Sequence, residues 1–386
     1  MKIKEIRAVQ VKLPPRVQTA QARRESWGAH AEVANPMSKF PAYKRHRSLW
    51  QPKWGGVWVQ AIAEDGTYGL GNTSFGRPVA AVVDDHFGPM LAGERCFAIE
   101  KCWDMMFRMS KPYGSSGLAS CAMSGVDLAL WDLAGKLQGK PVYELLGGPV
   151  KDRIFCYATG NDTDWQLELG FKGVKLACPY GPADGVKGLD ENERLVAETR
   201  ERVGNDVEVM LDCYMAFDVA YTIRLAQRLR PYRLKWIEEY LIPEDIDGHR
   251  AVREAVNWTM LASGEHMYSP WPYMQIIRDG SLDILQPDIK WVGGLTVCMK
   301  VAHAAEAAGL EVILHGGGNA PYGQHFTYAT SNAPWAECFI GSAPGVPLAD
   351  VAGPGQAVPE DGWLVPGDAP GFGIEVPEDA ITPYQY

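Results

Sequence analysis

Residues 208–240, EVMLDCYMAFDVAYTIRLAQRLRPYRLKWIEEY, contain the pattern that decides the fold. A short β-rich run, EVMLDC, comes first, an amphipathic helical stretch follows at 218–230, and a second β-rich run, LKWIEEY, comes last. A strand, a helix and a strand in succession predict a unit whose two strands lie parallel.

The same alternation extends along much of the chain. Further amphipathic helical stretches lie at 191–203 and 297–308. Repeated strand and helix patterns predict an α/β fold whose parallel sheet closes as a barrel. An open, doubly wound sheet is the alternative, but no glycine-rich phosphate-binding sequence follows a strand, which disfavours it. The eight β-rich runs, in order from residue 154, are IFCYAT, GVKLAC, EVMLDC, LKWIEEY, TMLASGE, ILQPDI, EVILHGG and AECFIG.

The segments that flank the barrel predict a smaller α+β capping domain. The tail from Ala352 is broken by Pro and Gly but contains apolar residues, so we expect it to pack on the N-terminal part. We therefore predict a capping domain over 1–125, completed by 352–386, and a catalytic barrel over 126–351. The N-terminal patterns are strands at 5–13 and 57–64 and helices at 77–91, 97–109 and 119–137.

Composition excludes several classes of partner. The chain has 47 acidic and 37 basic residues and a formal charge of -10, which argues against nucleic-acid and anionic-membrane partners. No apolar run approaches the roughly 18 residues of a spanning helix, and the N-terminus lacks a secretory pattern, so we expect a soluble protein. Eight scattered cysteines without a CxxC pair favour a reduced, cytoplasmic setting.

One long segment, residues 16–53, is basic, and we call it the basic lid. It contains eight Lys and Arg residues, including Arg47, against only two acidic residues, and it shows no clear periodicity. Long loops inside compact domains are commonly lids or binding loops. We therefore predict that the basic lid receives a small anion.

Carboxylates end three successive runs. Asp212, Glu238 and Glu265 close the third, fourth and fifth runs, and parallel strands of a barrel end at one mouth. Three neighbouring anions require a cation, and oxygen ligands favour Mg²⁺ or Mn²⁺ over zinc. Any one of them alone would be read as a solvated or capping residue. Glu239 competes with Glu238, because neighbours on a strand face opposite sides.

An aspartate and a histidine end the next two runs. Asp288 closes the sixth run and His315 the seventh, and an Asp that accepts a hydrogen bond from one ring nitrogen makes the imidazole a better base. His303, on the preceding helical stretch, is expected to be structural. Glu337, in the eighth run, completes the ring of candidate catalytic residues.

In this order, these residues make the chain similar to the enolase superfamily, within it to the mandelate-racemase-like branch and the L-rhamnonate dehydratases. The resemblance covers nearly the whole chain. The stretches that carry it include NPMSKFPAYKRHRS, SGVDLALWDLAGKLQGKPVYELLGGPVKDRIFCYATG, SGEHMYSP, DILQPDIKWVGGLT and PGFGIEV.

The resemblance implies a (β/α)7β, TIM-like barrel with an α+β cap, and a homo-oligomer, expected to be an octamer. It selects Glu238 over Glu239 as a metal ligand beside Asp212 and Glu265. It also implies a His315–Asp288 catalytic dyad with Glu337 as the eighth-strand acid. In the cap, it implies that Arg47 and His30 contact the substrate.

The second barrel strand departs from the wider branch. Racemases of this type resemble a Lys-x-Lys pattern whose second lysine is the opposing base, but here Lys175 is followed by Leu176 and Ala177. Rhamnonate dehydratases resemble this chain in lacking that base. We count Lys175 itself among the candidate substrate-binding residues.

The expected activity is a Mg²⁺-dependent dehydration of an acid sugar. His315 would remove the C2 proton, the 3-hydroxyl would leave, and the product would be a 2-keto-3-deoxy acid sugar. The substrate could be L-rhamnonate or the related L-mannonate or L-lyxonate. Two further alternatives are an epimerase or racemase of 2-hydroxy acids, which needs a base where Ala177 stands, and a non-catalytic structural protein that kept the fold.

Overall fold

The structure, a computed structural model, describes residues 1–43 and 50–386. Its strands are β1 (Ile3–Val11), β2 (Gly56–Ala63), β3 (Tyr68–Ser74), β4 (Ile154–Thr159), β5 (Gly173–Ala177), β6 (Glu208–Asp212), β7 (Trp236–Glu238), β8 (Met260–Ser263), β9 (Ile284–Leu285), β10 (Glu311–Val312), β11 (Trp335–Phe339), β12 (Trp363–Leu364) and β13 (Ile381–Pro383). Its α-helices are α1 (Gly76–Val82), α2 (Gly88–Leu91), α3 (Ile99–Met109), α4 (Leu118–Gln138), α5 (Val142–Leu145), α6 (Thr163–Glu168), α7 (Gly185–Val203), α8 (Val219–Leu229), α9 (Ile246–Ala255), α10 (Pro270–Asp279), α11 (Leu295–Ala307) and α12 (Pro321–Ala329).

The larger sheet is the predicted barrel. Within the described residues, parallel pairing runs in the order β10-β9-β8-β7-β6-β5-β4-β11, so the eighth barrel strand returns to the first. Helices α6 to α12 connect successive barrel strands. Each of the predicted β-rich runs overlaps one of these strands, and the (β/α)7β fold class is confirmed. Strand β12 adds to β4 in antiparallel orientation.

The inward face of the barrel strands carries the candidate ligands. Met210 and Trp236 belong to one buried cluster formed by the barrel strands, whereas their neighbour Val209 packs in the core under the helices. Side chains two residues apart on a strand share a face, so Asp212 follows Met210 and Glu238 follows Trp236 on the inward face. Asp212 and Glu238 are also register partners on adjacent strands. The strand pattern therefore places both carboxylates at the mouth of the barrel.

The smaller sheet forms the α+β cap. In the described part of the chain, its antiparallel order is β13-β1-β2-β3, so the C-terminal segment joins the N-terminal strands. Helix α4 packs against β3, where Gly71 permits a close approach: a Cβ there would lie 2.1 Å from the carbonyl oxygen of Gly125. Helix α4 crosses the domain boundary predicted between residues 125 and 126, and that boundary stays a prediction.

Two general properties of the chain complete the fold. In segments 1–43 and 50–386, no helix combines the length and apolar character needed to cross a membrane. The eight cysteines are buried and free. Free thiols are consistent with the scattered spacing of these cysteines in the sequence.

Candidate active site

A cavity of about 1110 Å³ opens at the carboxyl ends of the barrel strands. Barrel residues that line it include Asp212, Glu265 and His315. The N-terminal segments contribute aromatic side chains, namely Trp27, Trp50, Trp54 and Phe75. The cavity therefore combines charged groups from the barrel with apolar rings from the cap and the basic lid.

His315 and Asp288 form the hydrogen-bonded pair that the sequence predicts. His315 Nδ1 donates to Asp288 Oδ2 at 2.8 Å, and His315 Nε2 lies 3.2 Å from Glu265 Oε1. The backbone N–H of Lys290 donates to the other Asp288 oxygen at 2.6 Å and so fixes that carboxylate. Burial alone would lower the pKa of His315, but the Glu265 charge and the hydrogen bond to Asp288 raise it to about 10.

The predicted ligands Asp212, Glu238 and Glu265 all lie at the barrel mouth, but their side chains have different bonding partners. Glu238 is almost fully buried and bonds to Lys175 through one oxygen. Its other oxygen accepts hydrogen bonds from Trp236 Nε1 at 2.7 Å and Gln286 Nε2 at 2.8 Å. Burial raises the pKa of Glu238 to about 7, against the opposing effect of Lys175.

Glu239 forms a second carboxylate–imidazole pair in the same region. Its Oε1 lies 2.6 Å from His266 Nδ1, and its buried Oε2 has no hydrogen-bond partner within residues 1–43 and 50–386. Among the described residues, ligand-type atoms lie within 4.8 Å of one another in Glu239, Glu265 and His266, rather than in the predicted set with Asp212 and Glu238. Glu239 reaches this position because its backbone leaves the strand with a φ of 47°. The sequence pattern did not reveal this turn.

The donor set fits a hard divalent cation. Asp212, Glu238, Glu239 and Glu265 bring carboxylate oxygens to one end of the barrel, and the cavity reaches Asp212 and Glu265. Glu239 Oε2 has no partner in the described part of the chain, and a buried carboxylate oxygen is costly unless a cation or donor satisfies it. Oxygen donors of this kind suit Mg²⁺ or Mn²⁺.

Lys175 is buried and is not among the residues that line the cavity, and its predicted place among the substrate contacts stays a prediction. Its side chain is 0 % exposed, and it bonds to Glu238 and to Glu337 Oε1, the latter at 2.7 Å. Its Nζ lies 3.6 Å from Asp212 Oδ2. Burial would lower the pKa of Lys175, but Glu238 and Glu337 raise it well above the usual value. Lys175 is therefore an internal cation that faces carboxylates instead of the cavity.

Glu337 is also fully buried. Besides Lys175, it accepts hydrogen bonds from Thr159 Oγ1 at 2.5 Å and from the backbone N–H of Gly316 at 2.8 Å. Burial would raise the pKa of Glu337, but the charges of Lys175 and His315 lower it. Because the hydrogen bond reaches the residue after His315, Glu337 supports the histidine from below. Its predicted role as the catalytic acid of the eighth strand stays a prediction.

The described part of the basic lid is attached to the barrel by ion pairs. Arg24 bridges Asp162 and Asp164 at 2.6 and 2.7 Å, and Asp162 Oδ2 accepts a hydrogen bond from the backbone N–H of Trp27. His30 lines the cavity, but its side chain is 82 % exposed and lies 2.9 Å from Glu25. The predicted Arg47 contact lies outside the described residues.

Comparison with known protein families agrees with this arrangement. Residues 53–147 match the mandelate racemase / muconate lactonizing enzyme N-terminal domain family. Residues 163–380 match the enolase C-terminal domain-like family. The chain belongs to the enolase superfamily. An L-rhamnonate dehydratase from Saccharopolyspora erythraea is 39 % identical over 393 residues, which cover 100 % of both chains.

Solved structures of enolase-superfamily proteins share the whole architecture. The rhamnonate dehydratase from Gibberella zeae complexed with Mg superimposes with a TM-score of 0.90 at 33 % identity, covering 99 % of this chain and 96 % of that chain. A racemase from Streptomyces coelicolor A3(2) with bound magnesium gives a TM-score of 0.77 at 26 % identity, covering 97 % of each chain.

Within the enolase superfamily, the second barrel strand separates this site from a racemase-like one. Ala177 lines the cavity at the position where the racemase pattern has its second lysine. Its methyl group cannot accept or donate a proton. A base on that face would have to come from another element.

His266 and Trp291 are two of the cavity residues that the sequence reasoning missed. A signal for His266 was present, because it directly follows the predicted ligand Glu265 in the stretch SGEHMYSP. Burial would lower the pKa of His266, but Glu239 and Glu265 raise it to about 9. Trp291 gave no such signal, since an aromatic residue in a loop is usually read as packing.

Proposed function

We propose that the chain is an acid-sugar dehydratase, a hydro-lyase that acts on L-rhamnonate or a close relative of it. The observation that carries the proposal is the His315–Asp288 pair beside Glu265 in the cavity. The similarity to L-rhamnonate dehydratases along the full chain supports it.

Asp212, Glu238 and Glu265 would hold the divalent cation, as the resemblance to the family implies. When bound, Mg²⁺ or Mn²⁺ supplies positive charge that offsets these carboxylates and the negative charge that develops on the substrate carboxylate. Glu238 would then exchange its bond with Lys175 for the cation, while Lys175 keeps Glu337. Glu239 would hold His266.

His315 does the proton transfers in this proposal. In the neutral imidazole Asp288 accepts the Nδ1 proton, so the Nε2 lone pair would take the C2 proton of the acid sugar once the charge of Glu265, which raises the pKa of His315, is offset by a bound cation. Asp288 stabilises the imidazolium that forms. The C3–O bond then breaks, Nε2 returns its proton to the departing hydroxyl as water leaves, and the enol product becomes a 2-keto-3-deoxy acid.

An epimerase or racemase is the weaker alternative, because of one residue in the wall of the cavity. Inversion at C2 requires proton delivery from the opposite face, and Ala177 lies where the second lysine would be. Retention of both dyad residues argues against a non-catalytic role, because a structural protein has no need of a cavity-lining imidazole bonded to a buried carboxylate.

Screening the purified enzyme against a library of acid sugars, with semicarbazide detection of 2-keto acids, tests the function. We expect product from L-rhamnonate and weaker turnover of L-mannonate or L-lyxonate, and none from His315→Asn. Interconversion of C2 epimers without a 2-keto product would establish the epimerase alternative. Inertness towards every acid sugar would refute the proposal.

We also propose, from the family resemblance, a homo-oligomer, expected to be an octamer, and a cytoplasmic location. Light scattering after size-exclusion chromatography would measure the mass of the assembly. A mass equal to that of one chain would exclude the oligomer.

A further inference from the structure

Trp291 packs against both histidines of the cavity. It lies three residues after Asp288, and its ring centroid is 5.4 Å from that of His315 and 5.6 Å from that of His266. The interplanar angles are 36° and 45°. One indole therefore limits the movement of two imidazoles.

The indole is held in place from the capping domain. Its Nε1 donates to Ser74 Oγ at 2.9 Å, and Ser74 is the last residue of β3. The preceding residue is held from the same strand, because Thr73 Oγ1 donates to the carbonyl oxygen of Lys290 at 2.6 Å. The two domains thus meet at the loop that carries both Asp288 and Trp291.

The hydrogen bond to Asp288 fixes His315 at one nitrogen only. Rotation of the imidazole about that bond would still swing Nε2 away from a substrate. Ring contacts on the imidazole oppose this rotation, and within the described residues His315 has two: the tilted Trp291, and the edge-on Phe339 at 5.3 Å with an interplanar angle of 72°. A misplacement of about 1 Å at a catalytic group can cost about 100-fold in rate.

We propose that Trp291 is a positioning residue that fixes the direction of His315 Nε2, and that Ser74 holds Trp291 in the orientation this requires. The inference rests on the proposed dehydratase function and names a residue through which the cap acts on the dyad. It predicts that a displaced His315 still takes the C2 proton but reaches the 3-hydroxyl less well.

The test compares two outcomes of the same deprotonation in D₂O: deuterium at C2 of recovered substrate, and formation of the 2-keto product. Trp291→Leu should raise the ratio of exchange to dehydration and lower kcat by about 10- to 100-fold, with a smaller change in KM. Partial unfolding would reduce both outcomes together and leave the ratio unchanged. Trp291→Phe, which keeps a ring, should have a ratio of exchange to dehydration much closer to that of the wild type.

A double-mutant cycle tests the Ser74 contact. Ser74→Ala and Trp291→Phe each remove the same hydrogen bond, so their effects on kcat should not add. Trp271→Phe is the matched control, because Trp271 is exposed and stacks on Phe107 at 4.6 Å outside the residues that line the cavity. The Trp271→Phe enzyme should have the same ratio of exchange to dehydration as the wild type.

Three results would overturn the inference. An unchanged exchange ratio in a Trp291→Leu enzyme that still dehydrates would refute the positioning role alone. Fully additive effects of Ser74→Ala and Trp291→Phe would refute the role of the hydrogen bond. Absence of both exchange and dehydration in the wild type would overturn the proposed function and this inference together.

Discussion

Glu238 and Glu239 are consecutive in the chain, but their carboxylates have different partners. Glu238 bonds to Lys175, Trp236 and Gln286 inside the barrel. Glu239 bonds to His266, and its other oxygen is buried and unpaired among the residues that the structure describes. The pleat of β7 places Glu238 on the same face as Asp212, and the turn after the strand frees Glu239 from that pattern.

The two carboxylates give the first prediction. Glu238→Gln should weaken Mg²⁺ binding more than Glu239→Gln, because Glu238 is the register partner of Asp212 and the amide removes a ligand charge. Isothermal titration calorimetry measures both affinities. The opposite order would make Glu239 the ligand and would assign Glu238 to the buried ion pair with Lys175.

Metal removal gives the second prediction. Dialysis against EDTA should abolish turnover, and Mg²⁺ should restore it, because carboxylates at the barrel mouth need a compensating cation. Glu265→Gln should require more Mg²⁺ for half-maximal activity, whereas Glu254→Gln, at an exposed position on α9, should not. Full activity in excess chelator would show that turnover does not require the metal.

The dyad gives the third prediction. His315→Asn should keep its Mg²⁺ affinity, but its kcat should fall by about 10²- to 10⁴-fold or more. The kcat of Asp288→Asn should also fall, since the amide cannot hold a charged imidazole. His303→Asn, on the exposed side of α11, is the control. If His315→Asn continued to exchange the C2 proton in D₂O, another group, with His266 the first to examine, would be the base.

The basic lid gives the fourth prediction. Arg24→Met removes the bridge to Asp162 and Asp164, so KM should rise by up to about fivefold while kcat changes less, because exposed ion pairs contribute at most about 1 kcal/mol. Arg194→Met is matched to it, since Arg194 also bridges two carboxylates but lies on α7. Equal KM values for both variants would show that the attachment of the basic lid does not affect substrate binding.

The strand ends were predictable because a parallel barrel brings them together whatever the details of each turn. Asp212, Asp288 and His315 could therefore be placed from the sequence, and the His315–Asp288 hydrogen bond follows from adjacent strands. The direction of a side chain just past a strand end is set by local backbone angles. For that reason the sequence did not reveal that Glu239 turns towards His266.

Buried partners were harder to predict than strand ends. Lys175 precedes the end of β5 by two residues, and sequence alone does not show that it points at Glu238 and Glu337. A cation deep in a barrel is tolerated only beside carboxylates, so its position depends on three strands at once. Trp291 depends likewise on a contact with Ser74, which is 217 residues away in the chain.

A buried histidine outside the active site gives the last prediction, which concerns stability. His249, on α9, is 0 % exposed, and its Nδ1 lies 3.1 Å from the hydroxyl of Tyr240, while its buried Nε2 has no partner among the described residues. Burial lowers the pKa of His249 from 6.5 to about 4.

As pH falls below about 6.5, the unfolded chain binds a proton at residue 249 that the folded chain does not accept until about pH 4. The free energy of unfolding should therefore decrease across that interval, and His249 should account for about 3 kcal/mol of the decrease. His249→Gln, measured by urea unfolding at pH 7 and pH 4.5, should lose less stability between the two pH values than the wild type. His303→Gln, at an exposed position, should follow the wild type. Equal losses for His249→Gln and the wild type would show that protonation of His249 does not drive acid unfolding.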